Sequence, residues 1–191
     1  MNKYFIIILL FLLISCSLTK GKIKITQKQT NLQAYAILSD KTHRIVRLCF
    51  PKKIIIKNFY NKKKSFVKID YHYNSIETSV GNYIKLYKEK GINLNKISNN
   101  KKKTVFSNKS KAYIIFTTHY IEKNNYFTKQ LKEYSKKMLE ENKDTLHIGT
   151  VKEFKQKHKE LFVKLTKSDS ISIRFLDGEK LGKRITMPLK W

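Results

Sequence analysis

The chain has 191 residues, and its 41 Lys and Arg against 14 Asp and Glu give a formal charge of +27 at pH 7. That excess excludes an acidic or charge-balanced protein, while 41% apolar and 12% aromatic residues supply one packed core and exclude a long disordered chain. No self-similarity recurs at 20 to 50 residues, which excludes solenoids and propellers.

The first twenty residues, MNKYFIIILLFLLISCSLTK, set a basic Lys3 before an unbroken apolar run from Tyr4 to Ile14. At 1.5 Å per residue the run reaches about half of a roughly 30 Å hydrocarbon core, too short for a permanent spanning helix and laid out as a signal peptide is. Leu13-Ile14-Ser15-Cys16 then resembles the lipobox of bacterial lipoprotein precursors, a resemblance confined to about residues 1–20. It implies that residues 1–15 are a removed signal peptide and that Cys16 becomes the mature N-terminus. There Cys16 would carry a thioether-linked diacylglyceryl group and usually an N-acyl chain. Residues 16–21 would be a lipidated tether and residues 22–191 a single domain. Two or three acyl chains anchor stably where one is marginal, so the resemblance implies a cell-envelope protein with the membrane as partner. With Ser17, not Asp, after the cysteine and no acidic run beyond it, an outer membrane location facing the periplasm is favoured if the host is Gram-negative.

In the mature chain Ile23/Ile25 and Tyr35/Ile37 alternate with polar neighbours and predict strands. His43 to Phe50 predicts a strand stopped by Pro51. Residues 54–60 and 65–73 predict a hairpin around Asn61 to Lys64, with Val67, Ile69, Tyr71 and Tyr73 inward and His72 facing away. Helical spacing of Ile76, Val80, Tyr83, Ile84 and Tyr87, an Asn74/Glu77 capping box and Gly91 predict a helix over residues 75–90. Residues 93–111 predict a long polar loop. Residues 112–121, apolar on both faces, predict a central strand in which His119 is a satisfied core histidine. Helices are predicted over 128–142 and, behind a Thr150/Glu153 capping box, over 151–166. A hairpin closes the chain, residues 170–176 and 183–189 around Asp177-Gly178. The order argues an α+β fold, a mainly antiparallel sheet covered on one face by about three helices.

The charge is 37 Lys and only 4 Arg, beside 23 Ile, 14 Asn and 3 Ala. These are residues of AT-rich coding, so genomic base composition and a polyanionic partner both remain open as its cause. Residues 1–120 carry a net +20 and residues 121–191 a net +7. The densest clusters are Lys62, Lys63, Lys64 and Lys101, Lys102, Lys103, in Asn/Lys/Ser-rich stretches that read as loops. They are the candidate contacts for anionic envelope lipid or polymer. Aromatics among the first cluster resemble a nucleic-acid surface, but an export signal and inward Tyr71 and Tyr73 argue against that partner.

No catalytic spacing stands out. The five histidines never adopt a metal-ligand spacing, the six glycines are scattered, and no GxSxG elbow occurs. Glu140-Glu141 reads as an exposed helix turn, and Asp169, Asp177 and Glu179 as hairpin residues. With Cys16 lipidated, Cys49 has no intramolecular disulfide partner and reads as a small packed side chain. The expectation is a membrane-anchored, non-enzymatic binding domain without cofactor or metal. The alternatives are an envelope hydrolase whose site is assembled by folding, an anionic-polymer binder, or a module for an envelope protein.

Overall fold

The computed structural model describes residues 21–73, 84–123 and 125–191. The predicted signal peptide, Cys16 and most of the helix predicted over residues 75–90, with its Asn74/Glu77 box, lie outside the described residues.

One strand organises the rest. β3 (Arg44–Asn58) is 15 residues long, about 50 Å at about 3.3 Å per residue. Two strands parted at Pro51 were predicted, and the register explains their fusion. On one side β8 (Ser110–Tyr120) pairs with β3 from Arg47↔Tyr120 to Lys57↔Ser110. On the other, β2 (Gln33–Ser39) covers Arg44 to Cys49 and β1 (Ile23–Lys28) covers Lys53 to Asn58. Phe50, Pro51 and Lys52 fall in the gap between β2 and β1, where a missing proline N–H costs no ladder bond on that side.

The first sheet runs β6 (Asn93–Ile97), β5 (Lys85–Lys90), β8, β3, β2, β9 (Thr145–Thr150), with β1 also on β3. A second sheet runs β11 (Lys180–Pro188), β10 (Ser170–Asp177), β4 (Lys64–His72), β7 (Lys103–Val105). The predicted 54–73 hairpin is therefore absent, because its arms lie in different sheets. Buried Asn58 turns the chain out of the first sheet: its Nδ2 donates to Lys62 O at 2.9 Å and Val105 O at 3.0 Å, and its Oδ1 accepts from Tyr60 N at 2.9 Å. A bulge in β4 changes the predicted inward face, since Ile69 pairs with Ile173 but Phe66 with Phe175. The extra residue turns Phe66 into the core and leaves Val67 half-exposed. His72 does lie on the outer face, half-exposed and 2.9 Å from Ser172 Oγ.

Residues 85–90, predicted helical, form β5, with Leu86 inward and Tyr87 outward against Phe116 at 5.5 Å. The spacing of Ile84 and Tyr87 suits a helix, but in so short a run it carries little weight, and the available edge of β8 decides for a strand that puts the two on opposite faces. Gly91, at φ 60°, turns β5 into β6 and does not stop a helix. The predicted 93–111 loop in fact holds β6, β7 and the start of β8.

Four helices are present among the described residues: α1 (Asn125–Gln130), α2 (Lys132–Glu140), α3 (Val151–Lys157) and α4 (Lys159–Thr166). The single helix predicted over 151–166 is kinked at His158, where φ −128° and ψ 51° interrupt it although both flanking i→i+4 bonds survive. The kink lets the His158 ring stack on Phe154 and meet the Tyr134 hydroxyl at 3.1 Å. The helices cover one half of one face of the first sheet, packing Leu131, Met138, Phe154, Leu161 and Phe162 on Ala34, Ala36, Leu48 and Phe50. The other half of that face is covered by the second sheet, which packs Phe66, Ile69, Ile171 and Ile173 on Ile54, Ile56, Tyr113 and Ile115. The fold is α+β and mainly antiparallel, as predicted, but two layers share the work predicted for helices alone.

Candidate functional site

Where the two half-cores meet, β8 and the C-terminal segment place a buried polar seam. His119 is 0% exposed, and Asp169 and Tyr71 are equally enclosed. Leu165 O, which can only accept, lies 3.1 Å from His119 Nδ1 and puts the ring proton there. Nε2 then lies 3.0 Å from the Thr117 hydroxyl, which also reaches Phe50 O at 3.3 Å. Burial lowers the His119 pKa to about 3, against a smaller opposing effect of the Leu165 carbonyl, so the ring is neutral and its 3.8 Å approach to Asp169 Oδ2 is not an ion pair. Trp191 Nε1 donates to Asp169 Oδ2 at 3.1 Å. Burial, then the Asp169 charge, holds the Tyr71 phenol far above its ordinary range.

The Trp191 ring touches Phe50, His119 and Phe162, with centroids 5.9 to 6.1 Å apart. Below it Lys52, buried within β3, bonds to Lys190 O and lies 5.3 Å from the Trp191 centroid. Burial, with Lys155 nearby, lowers its pKa to about 8. His119 and Asp169 thus have the residue types of a catalytic dyad, but the walls around them are packed. His119 fits its prediction as a satisfied core histidine. Asp169, predicted as a turn residue, is instead an anchor of the seam. Trp191 and Lys52 were not singled out from sequence, where the single tryptophan carries no sign of the residues it meets in the fold.

The two lysine clusters come to neighbouring strands at one edge of the second sheet. Lys64 opens β4 opposite Val105 of β7, and Phe66 faces Lys103. Lys62, Lys63, Lys101 and Lys102 are exposed, and Lys64 sits over the Tyr60 ring at 4.8 Å. Lys103 is different: buried, it donates to the carbonyls of Val67, Asn99 and Lys101. Its desolvation, helped by Lys88, lowers its pKa to about 8. It holds the loop together from inside, while its two predecessors face water.

A cleft of about 300 Å³ opens between β1, the start of β4 and the β10–β11 side of the second sheet, with Lys22, Lys64 and Lys183 at its walls and Ile23, Phe175 and Ile185 among its lining. Cys49 is buried on the opposite face of the first sheet with Ile114 and Phe116, as a packed side chain, its Sγ 3.7 Å from Thr118 Oγ1. Among the described residues no three His, Cys, Asp or Glu side chains converge as a metal site, and no helix is long and apolar enough to cross a membrane. No known protein family, curated protein or solved structure matches the chain.

Proposed function

We propose that this protein is a membrane-anchored envelope lipoprotein, acylated at Cys16, whose folded part is a basic binding module for anionic envelope lipid or polymer. The observation that carries the binding half is the shared edge of β4 and β7. Lys64 lies opposite Val105, so Lys102 stands three residues further along, about 10 Å at about 3.3 Å per residue. Lys62, Lys63, Lys64, Lys101 and Lys102 therefore form one cationic edge, from which Lys103 is withdrawn. Sealed walls around His119 and Asp169 favour binding over hydrolysis, because a substrate would have to displace Phe50 and Trp191 to reach them.

Two measurements test this reading. Acyl-label incorporation and detergent partitioning should be lost in Cys16→Ala, and a Cys16→Ala protein acylated as strongly as wild type would sink the anchor. Binding to anionic envelope material should weaken steeply as salt shortens the Debye length below about 8 Å. Salt-insensitive capture would instead favour an apolar interface with an envelope protein.

A further inference from the structure

Four connections and the start of the described chain meet at one end of the stacked sheets. Lys57 lies opposite Ser110 and Lys24, Lys64 opposite Val105, and Asp177 opposite Lys180. Segments 59–63, 106–109 and 178–179 therefore leave their strands at the same end. Extending the Tyr87↔Ile114 register by four residues brings Gly91 level with Ser110, which adds the β5–β6 turn.

Three large apolar side chains stand in solvent here: Ile92, fully exposed at the turn tip, Leu181 at 68% and Phe106 at 59%. Lys22, Lys57, Lys62, Lys63 and Lys109, all exposed, and half-exposed Lys111 lie on the strand ends and connections of the same end. Lys57 sits over the Phe59 ring at 4.6 Å and Lys111 over Phe106 at 5.8 Å. Against these cations stand Asp177 and Glu179 of the β10–β11 turn. Apolar tips at an end rich in ammonium groups match a bilayer interface, where the tips enter the headgroup layer and the cations meet lipid phosphates.

The chain also enters the fold at this end. Gly21 runs flush against Tyr60, where a Cβ would come within 2.5 Å of the ring, and Lys22 O accepts from Phe59 N at 2.9 Å. Cys16 is five residues before Gly21, a reach of at most about 18 Å at about 3.6 Å per residue. An acyl group on Cys16 would hold this end, and not the helical half, near the membrane.

We infer that this end is a second membrane contact, lying on an anionic bilayer with Ile92, Phe106 and Leu181 in the headgroup layer. The inference rests on the lipid-anchored reading and gives it an orientation. Lys101 and Lys102 stand roughly 10 to 13 Å back from the end, so they feel the surface field across about one Debye length without touching headgroups.

The test uses the full lipoprotein in vesicles of phosphatidylcholine and phosphatidylglycerol whose acyl chains carry bromine near the headgroups. Phe106→Trp puts a fluorophore at the proposed contact, and Leu139→Trp puts one on α2 in the helical half, where Leu139 is 45% exposed. The fluorescence added by Phe106→Trp should be quenched, since interfacial groups sit about 5 to 10 Å deep, and that added by Leu139→Trp should not. The contrast should fall when phosphatidylglycerol is omitted. Equal quenching of the two variants, or the reverse order, overturns the inference, and a contrast indifferent to anionic lipid overturns its electrostatic half. The mass of the Cys16 peptide is read on the same samples. Selective quenching without an acyl group would remove the anchor and leave this surface standing, whereas an acylated protein quenched equally at both positions would do the opposite.

Discussion

Replacing His119 by Gln should abolish a defined part of the protein's sensitivity to acid. The folded state holds this ring neutral, with a pKa lowered from 6.5 to about 3 by burial. Below pH 6.5 the unfolded chain therefore binds a proton that the folded chain refuses. The unfolded state binding more protons, stability falls as pH falls, from 6.5 down to about 3 where the loss is complete. At about 1.4 kcal/mol per pH unit, lowering the pH to about 5 costs the folded state about 2 kcal/mol through this residue alone. His158 contributes with the same sign, its pKa being lowered by burial and then by Lys157, so the comparison must be between two proteins and not two pH values. Trp191, the only tryptophan in the chain, lies against the His119 ring and reports unfolding from inside the seam. In urea titrations at about pH 7.5 and about pH 5, wild type should lose about 2 kcal/mol more than His119→Gln. The variant should also be weaker at the higher pH by about 1 to 3 kcal/mol, because the buried Leu165 O loses the ring donor, while Thr117 keeps Phe50 O. An identical pH dependence in both proteins would refute a buried neutral histidine.

Lys103→Met should destabilise the fold by about 1 to 3 kcal/mol, by orphaning three carbonyls, while leaving binding to anionic vesicles unchanged; a loss of vesicle binding at full stability would show that this ammonium faces outward. Because the Lys52 and Lys103 pKa values are both lowered to about 8, the folded state sheds their protons first, and stability should rise as pH increases from about 8 to about 10.5, a trend that Lys52→Met and Lys103→Met should each diminish in chemical denaturation. Trp191→Ala removes a ring shared by both half-cores and should cost about 3 kcal/mol, measurable as a lowered Tm by circular dichroism; an unchanged Tm would mean that the seam closes without it.

Elements whose evidence is local were legible from sequence. The Thr150/Glu153 capping box forms both of its bonds, Thr150 N to Glu153 Oε2 at 2.7 Å and Glu153 N to Thr150 Oγ1 at 3.3 Å. The C-terminal hairpin forms as predicted, although its register sets Ile171 opposite Met187 and Ile173 opposite Ile185, and a bulge between Arg174 and Leu176 takes Phe175 out of the pairing. A strand apolar on both faces is indeed central, β8 lying between β5 and β3. What could not be read was partnership. Residues 54–60 and 65–73 alternate as a hairpin should, yet the first pairs with β1 and β8 and the second with β10 and β7, partners chosen by packing at a distance along the chain. The lysine clusters were legible as charge, but only the fold separates Lys103, whose long stem lets it turn inward to carbonyls, from the exposed Lys101 and Lys102. Asp169 was misread because a turn aspartate and a buried one look alike until a tryptophan 22 residues away folds back to meet it.

The way β1 is attached has a mechanical consequence. Among the described residues its six residues pair only with β3, from Ile23↔Asn58 to Lys28↔Lys53, and at its far end the Gln27 side chain bonds to Pro188 O and Lys190 N. The chain reaches β1 through Gly21, at the tip where that strand begins, so tension drawn through Gly21 away from the molecule acts along the strand axis. Such a load shears all six register pairs together, where a pull across the sheet would unzip them singly. A single-molecule pull through the N-terminal attachment should meet one high-force rupture, and a staircase of small steps would contradict that geometry. The first strand works as a shear pin between whatever holds the N-terminus and the rest of the fold.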